Sequence, residues 1–172
     1  MPDFSLHHDY PGDPKRPEAR ILAVEELSPA DDAGFTPGCV ITAVNGHPLR
    51  DMIDWQWYSD GFEVTLSYVD TEGDSGEVTL EREDGESWGI TFDGAIFDDI
   101  KTCRNACVFC FMRQLPADAR DSLMLRDDDW RLSFLQGNFT SLTALTDEEA
   151  FAAFPRIQWH LDEPDSNPSC VP

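Results

Sequence analysis

Alternating apolar and polar positions divide the first half of the chain into short strands separated by turn residues. Residues 51–59 instead place their apolar side chains at helical spacing, with Met52 and Trp55 turned toward a core and Trp57 as a third candidate. Asn45-Gly46 is the strongest hairpin signal, because both residue types tolerate the left-handed backbone angles that a tight hairpin requires. The pattern predicts a β-rich unit with strands at residues 21–24, 40–44, 63–69, 77–82 and 88–92.

Regular patterning is sparser in the second half of the chain. Thr146 is a helix cap and Glu149, three residues later, completes a capping box, so a helix is predicted to start here. Residues 151–172 show no strand or helix period and end in a stretch rich in Pro, Asp and Ser, which predicts a disordered tail. Residues 1–19 are predicted to be a flexible lead-in.

The charge balance of the chain limits its partners. The 172 residues are 41% hydrophobic, enough for one ordinary domain or two small ones, yet 34 acidic residues face 12 basic ones and give a net charge of −22. Such a surface repels nucleic acid phosphates and anionic membranes, so neither is an expected partner. A solvated acidic surface is the plain explanation. No targeting signal or membrane span is visible, so the cytoplasm is the expected location.

Three of the five cysteines stand close together. Cys103, Cys107 and Cys110 form C-x3-C-x2-C, with the aromatic Phe109 directly before the third cysteine. Three thiolates on one short loop can bind three irons of a cubane cluster and leave the fourth iron open. An odd number of cysteines with three bunched together also fits a metal site in a reducing compartment better than a disulfide framework.

Two other interpretations of the cysteines remain. A structural zinc site would need a fourth ligand, and its candidates all lie far away in the sequence: His47, His160, Cys170 and the His7-His8 pair. Unligated core cysteines are the second, although this spacing is unusual for them. The charge around the motif favours an anionic group, because half of the basic residues gather there and nearly balance the local aspartates: Lys101, Arg104, Arg113, Arg120, Arg126 and Arg131.

The first half of the chain resembles a bacterial PDZ domain. The resemblance rests on Ser28-Pro29-Ala30, Ala33-Gly34-Phe35, Pro37-Gly38, Val40-Ile41 and the run from Val44 to Leu49. Cys39 stands where such domains usually have Asp, and we interpret it as a small half-buried residue without chemistry. The glycine-rich carboxylate loop of peptide-binding PDZ domains is not evident. Two roles therefore stay open, an intramolecular brace and a peptide-binding groove that adds a strand to the sheet.

The cysteine motif and its flanks resemble radical SAM proteins that carry an N-terminal PDZ-like domain and a C-terminal domain of unknown function, DUF512. The matching runs cover roughly residues 20–150 and include residues 110–116, 126–135, 137–139 and 142–143. The resemblance implies a [4Fe-4S] cluster on Cys103, Cys107 and Cys110, with S-adenosylmethionine bound to it. It places Phe109 near the adenine, and Gly137 and Asn138 near the amino group of that cofactor. A flavodoxin- or ferredoxin-type electron donor is implied as partner.

The fold implied is α+β: a β-rich PDZ-like domain at residues 20–95, then the first part of an incomplete radical SAM (β/α)6 partial barrel at residues 96–150. Residues 88–97 would lead into the first barrel strand, and residues 131–135 would form the second. Gly137 has a plainer explanation as a turn at a strand end. For Asp127-Asp128-Asp129 a solvated acidic turn, paired with Arg126 and Arg131, is preferred over a cation site.

The length of the chain limits this interpretation. Only 62 residues follow Cys110, whereas a barrel needs roughly 200 residues by the scale of barrel folds. We therefore expect a truncated, frame-shifted or deliberately short form of a longer enzyme, inactive alone and with unspecified substrate. The alternative hypothesis is a binding module without catalytic activity, in which the PDZ-like unit is the well-folded part.

Overall fold

The computed structural model describes residues 17–110, 114–116, 118–120, 128–137, 140–143 and 145–162. The strands are β1 (Ala19–Val24), β2 (Val40–Val44), β3 (His47–Pro48), β4 (Glu63–Val69), β5 (Ser75–Glu81) and β6 (Ile90–Phe92). The helices are α1 (Pro29–Asp32), α2 (Met52–Tyr58), α3 (Trp130–Gln136) and α4 (Asp147–Asp162). None of these helices is both long enough and apolar enough to cross a membrane.

The strands form one antiparallel sheet in the order β5-β4-β2-β1-β6, with β3 paired to β2. Asn45 and Gly46 adopt positive φ angles of 49° and 78° and join β2 to β3, so the predicted hairpin is confirmed. The Asn45 amide donates to the Tyr58 carbonyl (2.8 Å) and accepts from the Thr65 backbone N–H (2.8 Å). This turn therefore ties the end of α2 to β4.

The core of this unit lies between the sheet and α2. It contains Ile21, Ile41, Val44, Leu49, Trp55, Val64, Leu66, Leu80, Trp88, Phe92 and Phe97 among its buried side chains. Cys39 belongs to the same core and is only 4% exposed, so the expectation of a half-buried residue is wrong. Its thiol lies 3.6 Å from the Thr36 hydroxyl. Burial among apolar neighbours agrees with a purely structural cysteine.

α2 has two buried faces. Asp51 caps the helix, accepting from the Asp54 backbone N–H (2.7 Å). Trp55 faces the sheet and meets Phe92 edge-on at 5.1 Å between ring centroids. Ile53 faces the other way, into a second apolar cluster that includes Trp130 of α3 and Ala153 of α4. The helix is therefore shared between the sheet and the C-terminal helices.

β6 closes the sheet at the outer edge of β1, pairing Ile21 with Phe92 and Val24 with Ile90. The strand predicted at residues 88–92 is present as β6, and Trp88 and Phe97 belong to the core of the N-terminal unit. The expected first barrel strand is not found, because no strand follows β6 among the described residues. After β6 the chain runs along the start of α2, where the Phe97 N–H donates to the Arg50 carbonyl (2.8 Å). The Phe97 carbonyl accepts from the Glu18 N–H (2.8 Å). Ala19 already lies in β1 and is fully buried. The predicted flexible lead-in, residues 1–19, is therefore too long by at least this residue.

Two predictions for the second half are wrong. Residues 131–135 form part of α3 rather than a strand, because Asp129 caps the helix, accepting from the Arg131 N–H (3.0 Å), and Gly137 ends it with a left-handed φ of 68°. Residues 151–162 belong to α4 and are not a disordered tail; residues 163–172 lie outside the described residues. The Thr146–Glu149 capping box is confirmed, with bonds of 2.9 and 3.2 Å. The α+β class is confirmed.

Candidate metal centre

The three-cysteine motif lies on a segment without regular secondary structure, residues 101–110, which we call the cysteine loop. Cys103 and Cys110 are half-buried, Cys107 is exposed, and none of them is in a disulfide. Cys107 to Cys110 form a turn in which the Cys110 N–H donates to the Cys107 carbonyl (3.2 Å). The three cysteines therefore lie within eight residues of one loop, and Cys107 is the most exposed of them.

The start of the cysteine loop is fixed by the N-terminal end of α3. The Lys101 N–H donates to Asp129 Oδ2 (3.0 Å), and the Lys101 carbonyl accepts from the Asp128 N–H (3.1 Å). The Lys101 ammonium also pairs with the Glu149 carboxylate in α4. The residue two positions before Cys103 is thus held by both C-terminal helices.

Arg131 organises the charges beneath the loop. The buried guanidinium donates to Asp129 Oδ2 (2.6 Å), Asp98 Oδ1 (2.7 Å) and the Asp99 carbonyl (3.2 Å), and lies 3.5 Å from Asp51 Oδ2 in α2. The predicted pairing of Arg131 with the aspartates is confirmed. The predicted solvated turn is wrong for Asp128 and Asp129, which are 6% and 0% exposed, respectively. Asp127 and Arg126 lie outside the described residues.

Burial and these contacts shift the pKa values of the carboxyl groups in opposite directions. Burial raises the pKa of Asp51 and Asp98 above the usual aspartate value, although Arg131 opposes the shift. Burial also disfavours ionised Asp129, but hydrogen bonds from Arg131 and from the Lys101 N–H outweigh it and leave the pKa of Asp129 below its usual value. The pKa of Arg131 is likewise raised by Asp129 in spite of burial, so the guanidinium stays charged.

A second set of polar side chains reaches the middle of the cysteine loop. Asn105, between the first two cysteines, donates to Thr143 Oγ1 (2.6 Å). Thr143 in turn contacts the Asp128 carboxylate, which also accepts from the Ser141 N–H (2.8 Å) and hydroxyl (2.6 Å). Sequence reasoning missed this set. Its only signal was the Thr- and Ser-containing run at residues 140–143, which is also typical of an ordinary loop.

The predicted cofactor contacts stay predictions. Phe109 is at the tip of the loop with 88% of its surface exposed, so its ring is open for stacking. Gly137 caps the C-terminus of α3 instead of following a strand, which gives its backbone a structural role. Asn138 lies outside the described residues.

Within the part of the chain that the structure describes, the three cysteines are not brought together as a preformed metal site. Within the described ranges, no three His, Cys, Asp or Glu side chains converge as ligands of one ion would. His47, a candidate fourth zinc ligand, stacks on Tyr58 at 4.3 Å between ring centroids, in the N-terminal unit. A cubane binds each thiolate to a different iron, so the three cysteines need not meet at one point.

Comparison with known families finds two matches along the chain. Residues 20–67 match the PDZ domain model, and residues 82–157 match the model described as a Radical SAM-like domain. No curated protein matches the chain. The second match begins before β6, a strand that pairs with β1 inside the first match. The order of the two matches, PDZ before Radical SAM-like, agrees with the resemblance found in the sequence.

Proposed function

We propose that the cysteine loop holds a [4Fe-4S] cluster through Cys103, Cys107 and Cys110 and binds S-adenosylmethionine at the fourth iron. The observation that carries this proposal is the C-x3-C-x2-C motif on an accessible loop within the Radical SAM-like match. A cluster held there supplies one electron for reductive cleavage of the sulfonium. A flavodoxin- or ferredoxin-type protein would deliver that electron.

The chain's own residues then bind and orient the cofactor. Phe109, exposed next to the third cysteine, offers an aromatic face to the adenine. Gly137 and Asn138 would contact the amino end of the cofactor, Gly137 through its carbonyl because its N–H caps α3. The arginines and lysine around the loop offset the local aspartates, so an anionic cluster is less disfavoured here than over the rest of a chain with net charge −22.

Anaerobic reconstitution with ferrous iron and sulfide tests this proposal. We expect a brown protein with about four irons, the content of a cubane, and an EPR signal that changes on adding S-adenosylmethionine. Cys107→Ala should lose the cluster, whereas the matched control Cys39→Ala, which removes a buried thiol outside the loop, should keep it. A colourless wild-type protein holding one zinc, or a Cys107→Ala variant that keeps all its iron, would overturn the proposal.

We infer that the PDZ domain acts as a brace inside the chain, with peptide binding as the alternative. Supporting this, the outer edge of β1 is already occupied by β6. Ile53 and Asp54 of α2 are fully buried, where they meet α3 and α4. Hydrogen exchange tests the brace: amides of β1 and β6 should exchange slowly and together. Rapid exchange in β6 with β1 still protected would instead favour an edge that opens for a peptide.

A further inference from the structure

We propose that Asp128, Thr143 and Asn105 form a polar latch that positions the first two cysteines of the loop. The proposal deepens the proposed function, since its consequence for a cluster rests on the cysteines being ligands. The latch itself is a property of the chain without metal. Its three members come from the start of α3, the segment after α3 and the cysteine loop.

Asp128 is the fixed point of the latch. It is 6% exposed, and its backbone N–H donates to the Lys101 carbonyl at the start of the cysteine loop (3.1 Å). Its carboxylate accepts from the Ser141 N–H and hydroxyl at 2.8 and 2.6 Å. These hydrogen bonds outweigh the effect of burial and leave the pKa of Asp128 below its usual value, so the acceptor stays ionised.

Thr143 connects Asp128 to the cysteine loop through hydrogen bonds. Its hydroxyl lies 3.3 Å from Asp128 Oδ2 and 2.7 Å from the Ser141 hydroxyl, and it accepts from the Asn105 side-chain amide at 2.6 Å. Asn105 is two residues from Cys103 and two from Cys107. A continuous chain of contacts therefore runs from Lys101 through Asp128 and Thr143 to Asn105.

Holding these two points restricts the backbone on which the cysteines stand. Ordering one residue costs about 1–2 kcal/mol in backbone entropy, and apart from a single bridge residue, Thr102, the loop has no helix or strand to offset that cost. The latch fixes the stretch from Lys101 to Asn105, and the Cys107–Cys110 turn fixes the stretch that follows. Asp128, Thr143 and Asn105 are thus positioning residues, which act on a ligand set through the loop.

The decisive variant is Thr143→Val, which removes the hydroxyl at nearly constant volume, while Thr143→Ser restores it. The matched control is Thr65→Val, which removes a hydroxyl that lies 3.0 Å from Thr79 Oγ1 on the sheet. In metal-free, reduced protein we would measure iodoacetamide alkylation of Cys103 and Cys107 by mass spectrometry, together with amide exchange over residues 101–107. Thr143→Val should raise both rates by about twofold to tenfold, the range given by one ordinary hydrogen bond.

Thr143→Ser and Thr65→Val should keep wild-type rates and a wild-type urea midpoint. If Thr143→Val disturbs the whole fold, Asn105→Ala, which leaves the Asp128–Thr143 contact in place, should still raise the same two rates. Wild-type rates in both variants would overturn the latch. After reconstitution, Thr143→Val should also lose iron to a chelator faster than Thr143→Ser. A wild-type protein that takes up no cluster would contradict the proposed function, while the metal-free measurements would still decide the latch.

Discussion

A buried ion pair joins the PDZ domain to the last helix. Asp54, in α2, has no exposed surface and accepts from the Arg50 N–H (3.3 Å) and side-chain Nε (3.0 Å). Its other carboxylate oxygen pairs with Arg156 of α4, which is only 5% exposed. Removing one member of such a pair leaves an uncompensated charge in a place that water does not reach.

Asp54→Ala should therefore destabilise the protein by about 3–5 kcal/mol, the usual cost of breaking a buried pair by removing one partner. Urea unfolding followed by tryptophan fluorescence gives the free energy. Glu18→Ala is the control, because it breaks an ion pair with Arg20 in which the Glu18 and Arg20 side chains are 49% and 47% exposed. This substitution should lower the free energy of unfolding by about 1 kcal/mol or less. Equal effects of the two substitutions would contradict the burial argument.

Asp129 predicts a pH dependence. Hydrogen bonds from Arg131 and the Lys101 N–H outweigh burial and lower the pKa of Asp129 in the folded protein. The ionised Asp129 therefore stabilises the fold fully at pH values above the ordinary aspartate pKa. That contribution disappears as the pH falls through the lowered native value. Asp51 and Asp98 have the opposite sign, because their raised pKa lets the folded state take up protons before the unfolded state does.

Comparison with Asp129→Asn separates these effects. The difference in unfolding free energy between wild type and variant should be constant at neutral pH and shrink below about pH 4, where aspartate begins to titrate. Urea titrations from neutral pH to pH 3 measure it. The charge of Asp129 also helps to raise the pKa of Asp98, so the variant loses that part of the Asp98 shift as well. If this difference does not change with pH, the ionised form of Asp129 stabilises the fold no more than the protonated form does.

At the level of elements, local signals predicted the sheet and the start of α4, but not α3 or the full length of α4. Strands 40–44 and 63–69 were predicted with their observed bounds, because alternation and turn residues are carried by the strands themselves. The strand expected at residues 131–135 followed from the family resemblance and not from a local pattern. The helix found there is capped at both ends, and its Trp130 packs on Ile53, far away in the chain. No helical period was found after residue 150, yet α4 continues through Pro155 with Ala153 packed on the same cluster.

The candidate site, too, could be predicted from the sequence only in part. Ligand spacing is local, so the three cysteines could be found from sequence. The contacts that position them are not local: Lys101 meets Asp129 across 28 residues, and Asn105 meets Thr143 across 38. No pattern in one sequence links such pairs, and the run of aspartates at residues 127–129 resembled an ordinary polar turn.

The α4 cap is the element-level prediction. Thr146→Ala removes the side chain that accepts from the Glu149 N–H (3.2 Å), and it should cost about 0.5–2 kcal/mol, as usual for a helix N-cap. Hydrogen exchange should rise most over residues 147–150, the first turn of α4. Thr146→Ser, which keeps the hydroxyl, is the control. Unchanged exchange in Thr146→Ala would mean that packing on Ile53 alone determines where α4 begins.

Over the whole molecule, the net charge of −22 destabilises the folded state through repulsion between its acidic side chains. Added sodium chloride should raise the melting temperature, because salt screens exposed charges strongly and buried pairs such as Asp54–Arg156 much less. Each 1 kcal/mol of repulsion removed corresponds to about 2–4 °C for a chain of this size. Thermal melts over a series of salt concentrations measure the shift, with an uncharged osmolyte as control for general solvent effects. A melting temperature that falls with salt would show that favourable surface pairs outweigh the repulsion.

The placement of β6 has a consequence for how such proteins can be recombined. The two family matches leave residues 68–81 between them, an apparent seam at which one half could be exchanged for that of another protein. A cut there would separate β1 from β6, which closes its outer edge, and would divide the β4–β5 hairpin. A transplanted PDZ domain would have to bring its own closing strand, so the workable seam lies after residue 97, where the chain has left the sheet and the start of α2.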